Sequence, residues 1–233
     1  MNSFLIFILS LTSIFAIYWV LAGQWKHNAM LRQANRKIKA VLFDMDGVLI
    51  DSYDAWFETF NETRKEHRLD GISKEEFDRI VWGGSTKAEA QHYFNGIPEK
   101  KLKESYRKKM EEKAAMVKVD PYAHFVLSSL AKKGLKTGIV TNADRHVAEK
   151  LTEDLGIKAG TMVFSDDVKN PKPAPDGILK ACKNLSINPE EAAFVGDTVN
   201  DMSAARAAGC FAIGLNTDGD LKIGSLKDLE RMF

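Results

Sequence analysis

Lys39-Ala40-Val41-Leu42-Phe43-Asp44-Met45-Asp46-Gly47-Val48-Leu49-Ile50-Asp51 sets a continuous apolar run directly against two carboxylates at i and i+2. A short run without polar alternation reads as a buried strand, here ending at Asp44. Gly47 lets the chain turn out of that strand, so that Asp44 and Asp46 both face the space beyond its end.

Working outward, similar runs recur at Leu135 to Val140, Thr161 to Phe164, Ala192 to Val195 and Cys210 to Leu215, with helical patterns between them. That alternation predicts an α/β fold, a Rossmann-like parallel sheet with helices on both faces. Its site belongs in the crevice at the carboxyl ends of the strands. The stretch 52–119 differs: it is charged and helical, with Glu99 to Lys113 nearly all Lys, Arg and Glu, and holds no strand-like run. It reads as a helical insertion, a cap at 52–119, in a core made of 40–51 and 120–233. The Lys/Glu-rich helix reads as a solvated face.

The strand ends carry the chemistry. After the second run comes Thr141-Asn142, then Asn170-Pro171-Lys172-Pro173-Ala174-Pro175-Asp176, and after the fourth Gly196-Asp197-Thr198-Val199-Asn200-Asp201. Asp44, Asp46, Asp197 and Asp201 would converge on one crevice, where each like-charge pair at ~5 Å and an effective dielectric of about 20 costs ~3 kcal/mol. Lys172 alone cannot offset that. A hard divalent cation among oxygen ligands can, and Mg2+ is the usual choice where phosphate completes the shell. The five histidines show no ligand spacing, which argues against zinc. Cys182 and Cys210 read as buried small apolar residues.

In this order the segments Asp-x-Asp-Gly-Val-x-x-Asp, Thr141, Asn-Pro-Lys-Pro-x-Pro-Asp and Gly-Asp-x-x-x-Asp resemble the haloacid dehalogenase-like superfamily over about residues 38–233, and the insertion resembles its small helical cap. The resemblance implies a phosphoric monoester hydrolase. Asp44 would be the nucleophile that becomes an aspartyl phosphate, and Asp46 the general acid and then base. Thr141 and the amide of Asn142 would bind phosphoryl oxygens, and Lys172 would neutralise developing charge. Asp44, the Asp46 carbonyl and Asp197 would hold Mg2+, with Asp201 binding through water or orienting Lys172.

Asp46 argues against dehalogenase and phosphonate-cleaving relatives, which the resemblance says lack it. Mutases of the beta-phosphoglucomutase type place His where Trp56 stands, and Arg in a Gly-x-Ser-Arg loop that here reads Gly83-Gly84-Ser85-Thr86-Lys87. The expectation is therefore a phosphoglycolate phosphatase-like enzyme acting on a small phosphorylated metabolite, with a sugar phosphomutase as the alternative and a membrane-tethered, non-catalytic binding or signalling protein as another. Gly84, Ser85 and Lys87 are candidates for substrate contact, Ser85 equally a helix cap and Trp82 a core or hinge residue.

The formal charge of +1 over 233 residues hides an asymmetry. Five of the 33 basic residues and no acidic one fall in 1–39, which carries +5 and leaves −4 on the remainder. Phe4 to Ala22 has Ser10, Thr12 and Ser13 as its only polar breaks, and at 1.5 Å per residue a helix there spans ~28 Å. The expectation is a single transmembrane anchor at 1–25 and a basic juxtamembrane segment at 26–39, which by the positive-inside rule keeps the catalytic domain cytoplasmic. A cleaved signal peptide is the rival. No nucleic-acid partner is expected, and the oligomeric state is left open.

Overall fold

The computed structural model describes residues 38–233. The anchor at 1–25 and most of the basic segment lie outside the described residues, and no described helix is long and apolar enough to cross a membrane.

The apolar run forms β1 (Ala40–Phe43), every residue of which is buried. β2 (Ile50–Asp51) follows, then helices α1 (Tyr53–Glu66), α2 (Lys74–Ile80), α3 (Thr86–His92) and α4 (Glu99–Lys113). β3 (Lys118–Val119) leads back to α5 (Ala123–Lys132), β4 (Lys136–Val140), α6 (Arg145–Asp154) and β5 (Thr161–Val163). α7 (Asp176–Leu185), β6 (Ala192–Gly196), α8 (Val199–Ala208), β7 (Phe211–Leu215) and β8 (Leu221–Ile223) complete the core.

Six strands pair in the order β5-β4-β1-β6-β7-β8, all parallel. β1 is central, with β4 on one side and β6 on the other, so the strand order reverses beside it. That is where a doubly wound sheet opens a crevice at its carboxyl edge. One face packs Leu42, Val140, Ile178, Phe194 and Met202, with Cys182 and Cys210 buried among them. The five expected strands are present, with ends moved by a residue. β8 is an addition: three residues with an exposed Lys222 between two buried neighbours give too short a pattern to read.

Contrary to the expectation of a strand-free insertion, its exit pairs with its entrance. Ile50 faces Val119 and Asp51 faces Lys118 in a two-residue antiparallel ladder. Local composition does not encode so short a pairing; it forms because both connections pass the same point. Between them α1 to α4 enclose a separate apolar cluster of Phe60, Phe77, Val81, Phe94, Leu102 and Tyr106. α4 buries only Leu102, Tyr106 and Met110, one stripe of an otherwise charged helix. Its other face is not wholly solvated as expected: Lys103 pairs with Asp166 at 2.5 Å and Arg107 with Asp144 at 3.1 Å, joining the insertion to the core.

Candidate active site

Asp44 leaves β1 with its amide still donating to the Val195 carbonyl at 2.8 Å, so the nucleophile candidate is held by the sheet itself. Its carboxylate is buried, accepts from the Met45 amide at 2.7 Å and pairs with Lys172 Nζ at 2.7 Å. The turn that follows needs Gly47. Its φ is +76°, and a Cβ there would lie 2.2 Å from Asp197 Oδ2.

Asp46 comes off the same turn. Ser52 Oγ and Trp56 Nε1 donate to its Oδ1 at 2.6 and 2.8 Å, while Thr141 Oγ1 approaches Oδ2 at 3.4 Å. Both donors to Oδ1 come from the start of the insertion. Burial raises the Asp46 pKa, against these hydrogen bonds, and so favours the protonated form an acid requires.

Lys172 sits between Asp44 and Asp201, 2.7 Å from each. Burial alone would lower its pKa, but the two carboxylates hold it above the ordinary value and the ammonium stays charged. The Asn142 side chain fixes the Lys172 backbone, accepting from its amide at 2.9 Å and donating to its carbonyl at 2.9 Å. Asp201 is a member of a capping box: Thr198 donates to its Oδ2 from amide and hydroxyl, leaving Oδ1 to Lys172. This arrangement positions the lysine.

One carboxylate oxygen each from Asp44, Asp197 and Asp201 lies within 4.8 Å of the others. Trp82 Nε1 donates to Asp197 Oδ2 at 3.0 Å, whereas Asp197 Oδ1 is buried with no partner among the described residues. Burial, then Asp201, raises the Asp197 pKa to about 6. Burial and Asp201 also raise that of Asp44, against Lys172. Packed carboxylates and an orphaned oxygen are what a hard cation would relieve, and an all-oxygen donor set fits Mg2+.

The insertion closes over these groups. The Gly83 carbonyl accepts from Asn142 and Asn200 side chains, each at 3.1 Å. Asp44, Asp46, Thr141, Asn142, Lys172, Gly83 and Gly84 line one cavity with Trp56, Phe60, Phe77, Trp82, Glu89 and Tyr106. Two expected contacts move elsewhere. Ser85 is spent as the N-cap of α3, accepting from the Ala88 amide, and Lys87 projects to the surface near the Lys169 carbonyl at 3.4 Å. The helical repeat turns Thr86 and Glu89 inward instead, a consequence of spacing that the loop sequence already contained. Trp82, expected as core or hinge, reaches Asp197, a contact between positions 115 residues apart that no local pattern announces.

A comparison of the whole sequence decides the family: residues 41–215 match the profile of the haloacid dehalogenase-like hydrolases. The chain belongs to that family. It is 31% identical over 180 residues to an N-acetylmuramic acid 6-phosphate phosphatase of Pseudomonas aeruginosa, covering 74% of this chain and 79% of that protein. It is 30% identical to a phosphoglycolate phosphatase of Chromobacterium violaceum, covering 83% and 96%. In fold it is similar to CbbY of Rhodobacter sphaeroides, with TM-score 0.73, 20% identity and coverage of 82% and 96%. It is likewise similar to a beta-phosphoglucomutase of Clostridium difficile, with TM-score 0.69, 19% identity and coverage of 82% and 93%. As a haloacid dehalogenase-like hydrolase with phosphatases among its relatives, this protein is a phosphatase.

Proposed function

We propose that this haloacid dehalogenase-like protein hydrolyses a small phosphorylated metabolite, with Mg2+, in the manner of the phosphoglycolate phosphatases it is similar to. The observation that carries this reading is the placement of Asp44 against Lys172, with Asp46 two residues on and open to the same cavity. An Asp44 carboxylate oxygen attacks phosphorus, and the departing alkoxide takes the proton of Asp46. Asp46, now a carboxylate, accepts a proton from the water that opens the aspartyl phosphate, releasing phosphate and restoring Asp44. Thr141 and the Asn142 amide hold phosphoryl oxygens while Lys172 offsets their charge. Asp44, Asp197 and the Asp46 carbonyl would hold Mg2+, which supplies further charge neutralisation.

Trp56 favours hydrolysis over the phosphomutase alternative. Its indole donates to Asp46 at the place where the mutase resemblance calls for His. The same proposal places residues 1–25 in a membrane, with the basic segment keeping the catalytic part on the cytoplasmic side. The enzymatic reading is tested with full-length protein in detergent. It should hydrolyse p-nitrophenyl phosphate when Mg2+ is present and stop when Mg2+ is chelated, and Asp44→Asn should lose at least a thousandfold in kcat. Unchanged turnover by that variant would defeat the mechanism.

A further inference from the structure

Among the described residues, the insertion's half of the cavity contains one carboxylate, and it has no part in the chemistry above. Glu89, on α3, is buried, and the Tyr106 hydroxyl donates to its Oε2 at 2.6 Å. Oε1 is turned toward Gly84, where a Cβ would lie 3.9 Å from it, and accepts no hydrogen bond among the described residues. The walls beside it are Trp56, Phe60, Phe77, Val81 and Trp82. Lys172 is the only cation among the described residues lining the cavity, and it is engaged by Asp44 and Asp201. Of the insertion's basic side chains, Arg64 donates to the Asp70 and Tyr93 carbonyls, and Lys87 is exposed, 3.4 Å from the Lys169 carbonyl.

The geometry points to Glu89 as the residue that selects the leaving group, favouring an uncharged, hydroxyl-bearing one of the sugar or polyol kind and rejecting one that carries a carboxylate. The inference rests on the phosphatase reading, keeps the reaction of the phosphoglycolate phosphatases and departs from their substrate, since glycolate carries a carboxylate. A hydroxyl can donate to Glu89 when it is ionised and accept from it when it is neutral, so an alcohol is satisfied in either state. A carboxylate can only accept. It would meet a like charge, or compete for one proton, and among the described residues no basic side chain of the insertion lines the cavity to receive it. The aromatic walls give the C–H faces of a sugar or polyol an apolar surface. Burial, opposed by the Tyr106 hydrogen bond, raises the Glu89 pKa to about 7, so both protonation states are accessible near neutrality.

The test compares kcat/KM for sorbitol 6-phosphate, 2-phosphoglycolate and phosphoethanolamine, each relative to p-nitrophenyl phosphate, in the full-length wild type and in Glu89→Leu and Glu89→Gln. The wild type should prefer sorbitol 6-phosphate to 2-phosphoglycolate by at least tenfold. Glu89→Leu should lower the sorbitol 6-phosphate ratio about tenfold, the loss expected for one buried hydrogen bond. Glu89→Gln, which still donates and accepts but carries no charge, should restore that ratio and raise the one for 2-phosphoglycolate. A purely structural Glu89 would shift all substrates together and leave the ratios unmoved, overturning the inference. Wild-type preference for 2-phosphoglycolate or phosphoethanolamine would overturn it equally, while leaving the phosphatase intact. Failure of the wild type to turn over any ester, p-nitrophenyl phosphate included, would instead defeat the phosphatase reading and this inference together.

Discussion

Glu89 also makes a prediction about stability, independent of any substrate. Its pKa is raised to about 7, burial being the larger cause, whereas an unfolded glutamate titrates near ~4.3. Between those values the folded chain holds a proton that the unfolded chain has released, so stability falls as pH rises through that window. At about 1.36 kcal/mol per unit the loss reaches about 3 kcal/mol by pH ~8. Glu89→Gln removes that titration. In urea denaturation the variant should gain up to about 3 kcal/mol on the wild type between pH ~5 and ~8, and a constant gap would refute it. Glu89 itself was not legible in the sequence, because a glutamate in a charged segment has no local mark of burial. Asp44, Asp46, Lys172 and Asp197 were legible, since each follows a buried strand or sits in a proline-framed loop whose position the topology fixes.

At the scale of elements, α4 shows how one helix serves two neighbours. Leu102, Tyr106 and Met110 anchor it to α1, where Lys109 pairs with Glu66 and Lys113 with Glu62. Lys103 and Arg107, on another face, reach Asp166 and Asp144 of the core. Asp144 also caps α6 through the Val147 amide, so the contact is with a fixed element. The Lys103–Asp166 pair is partly exposed, of a kind that contributes up to ~1 kcal/mol and weakens as salt shortens the screening length to about 3 Å at ~1 M, whereas Arg107 meets a buried Asp144 carboxylate that salt screens less. The double variant Lys103→Ala, Arg107→Ala should therefore raise KM several-fold at low salt and speed amide exchange in α4, and the difference between the two proteins should narrow at ~1 M NaCl. A KM difference that salt leaves unchanged would show that the seam is not ionic. The charge pattern of α4 was legible; which charges face solvent was not, because the partners lie far along the chain.

Over the whole molecule, the +5 of residues 1–39 and the −4 of the remainder divide an anchor proposal from a catalytic one. The full-length chain should stay in the membrane pellet after alkaline carbonate extraction, and a chain lacking residues 1–25 should leave it; release of the full-length chain would refute the anchor. The acidic excess of the remainder includes the carboxylates gathered at the carboxyl edge of the sheet, where Lys172 and a bound divalent cation would balance them. The sequence by itself marked the parallel α/β class of the core, five of its six strands, the stretch that forms the insertion and the charged candidates for the reaction centre. It could do so because buried runs, turns and strand-end polar residues are local patterns whose meaning follows from backbone geometry. Tertiary structure alone decided that Trp56 and Trp82 donate to Asp46 and Asp197, that Asp201 takes the lysine-orienting one of its two expected roles, and that Glu89 rather than Lys87 faces the cavity. Those contacts arise where the insertion folds back over the sheet, and the burial that gives them their chemistry exists only once both parts have packed.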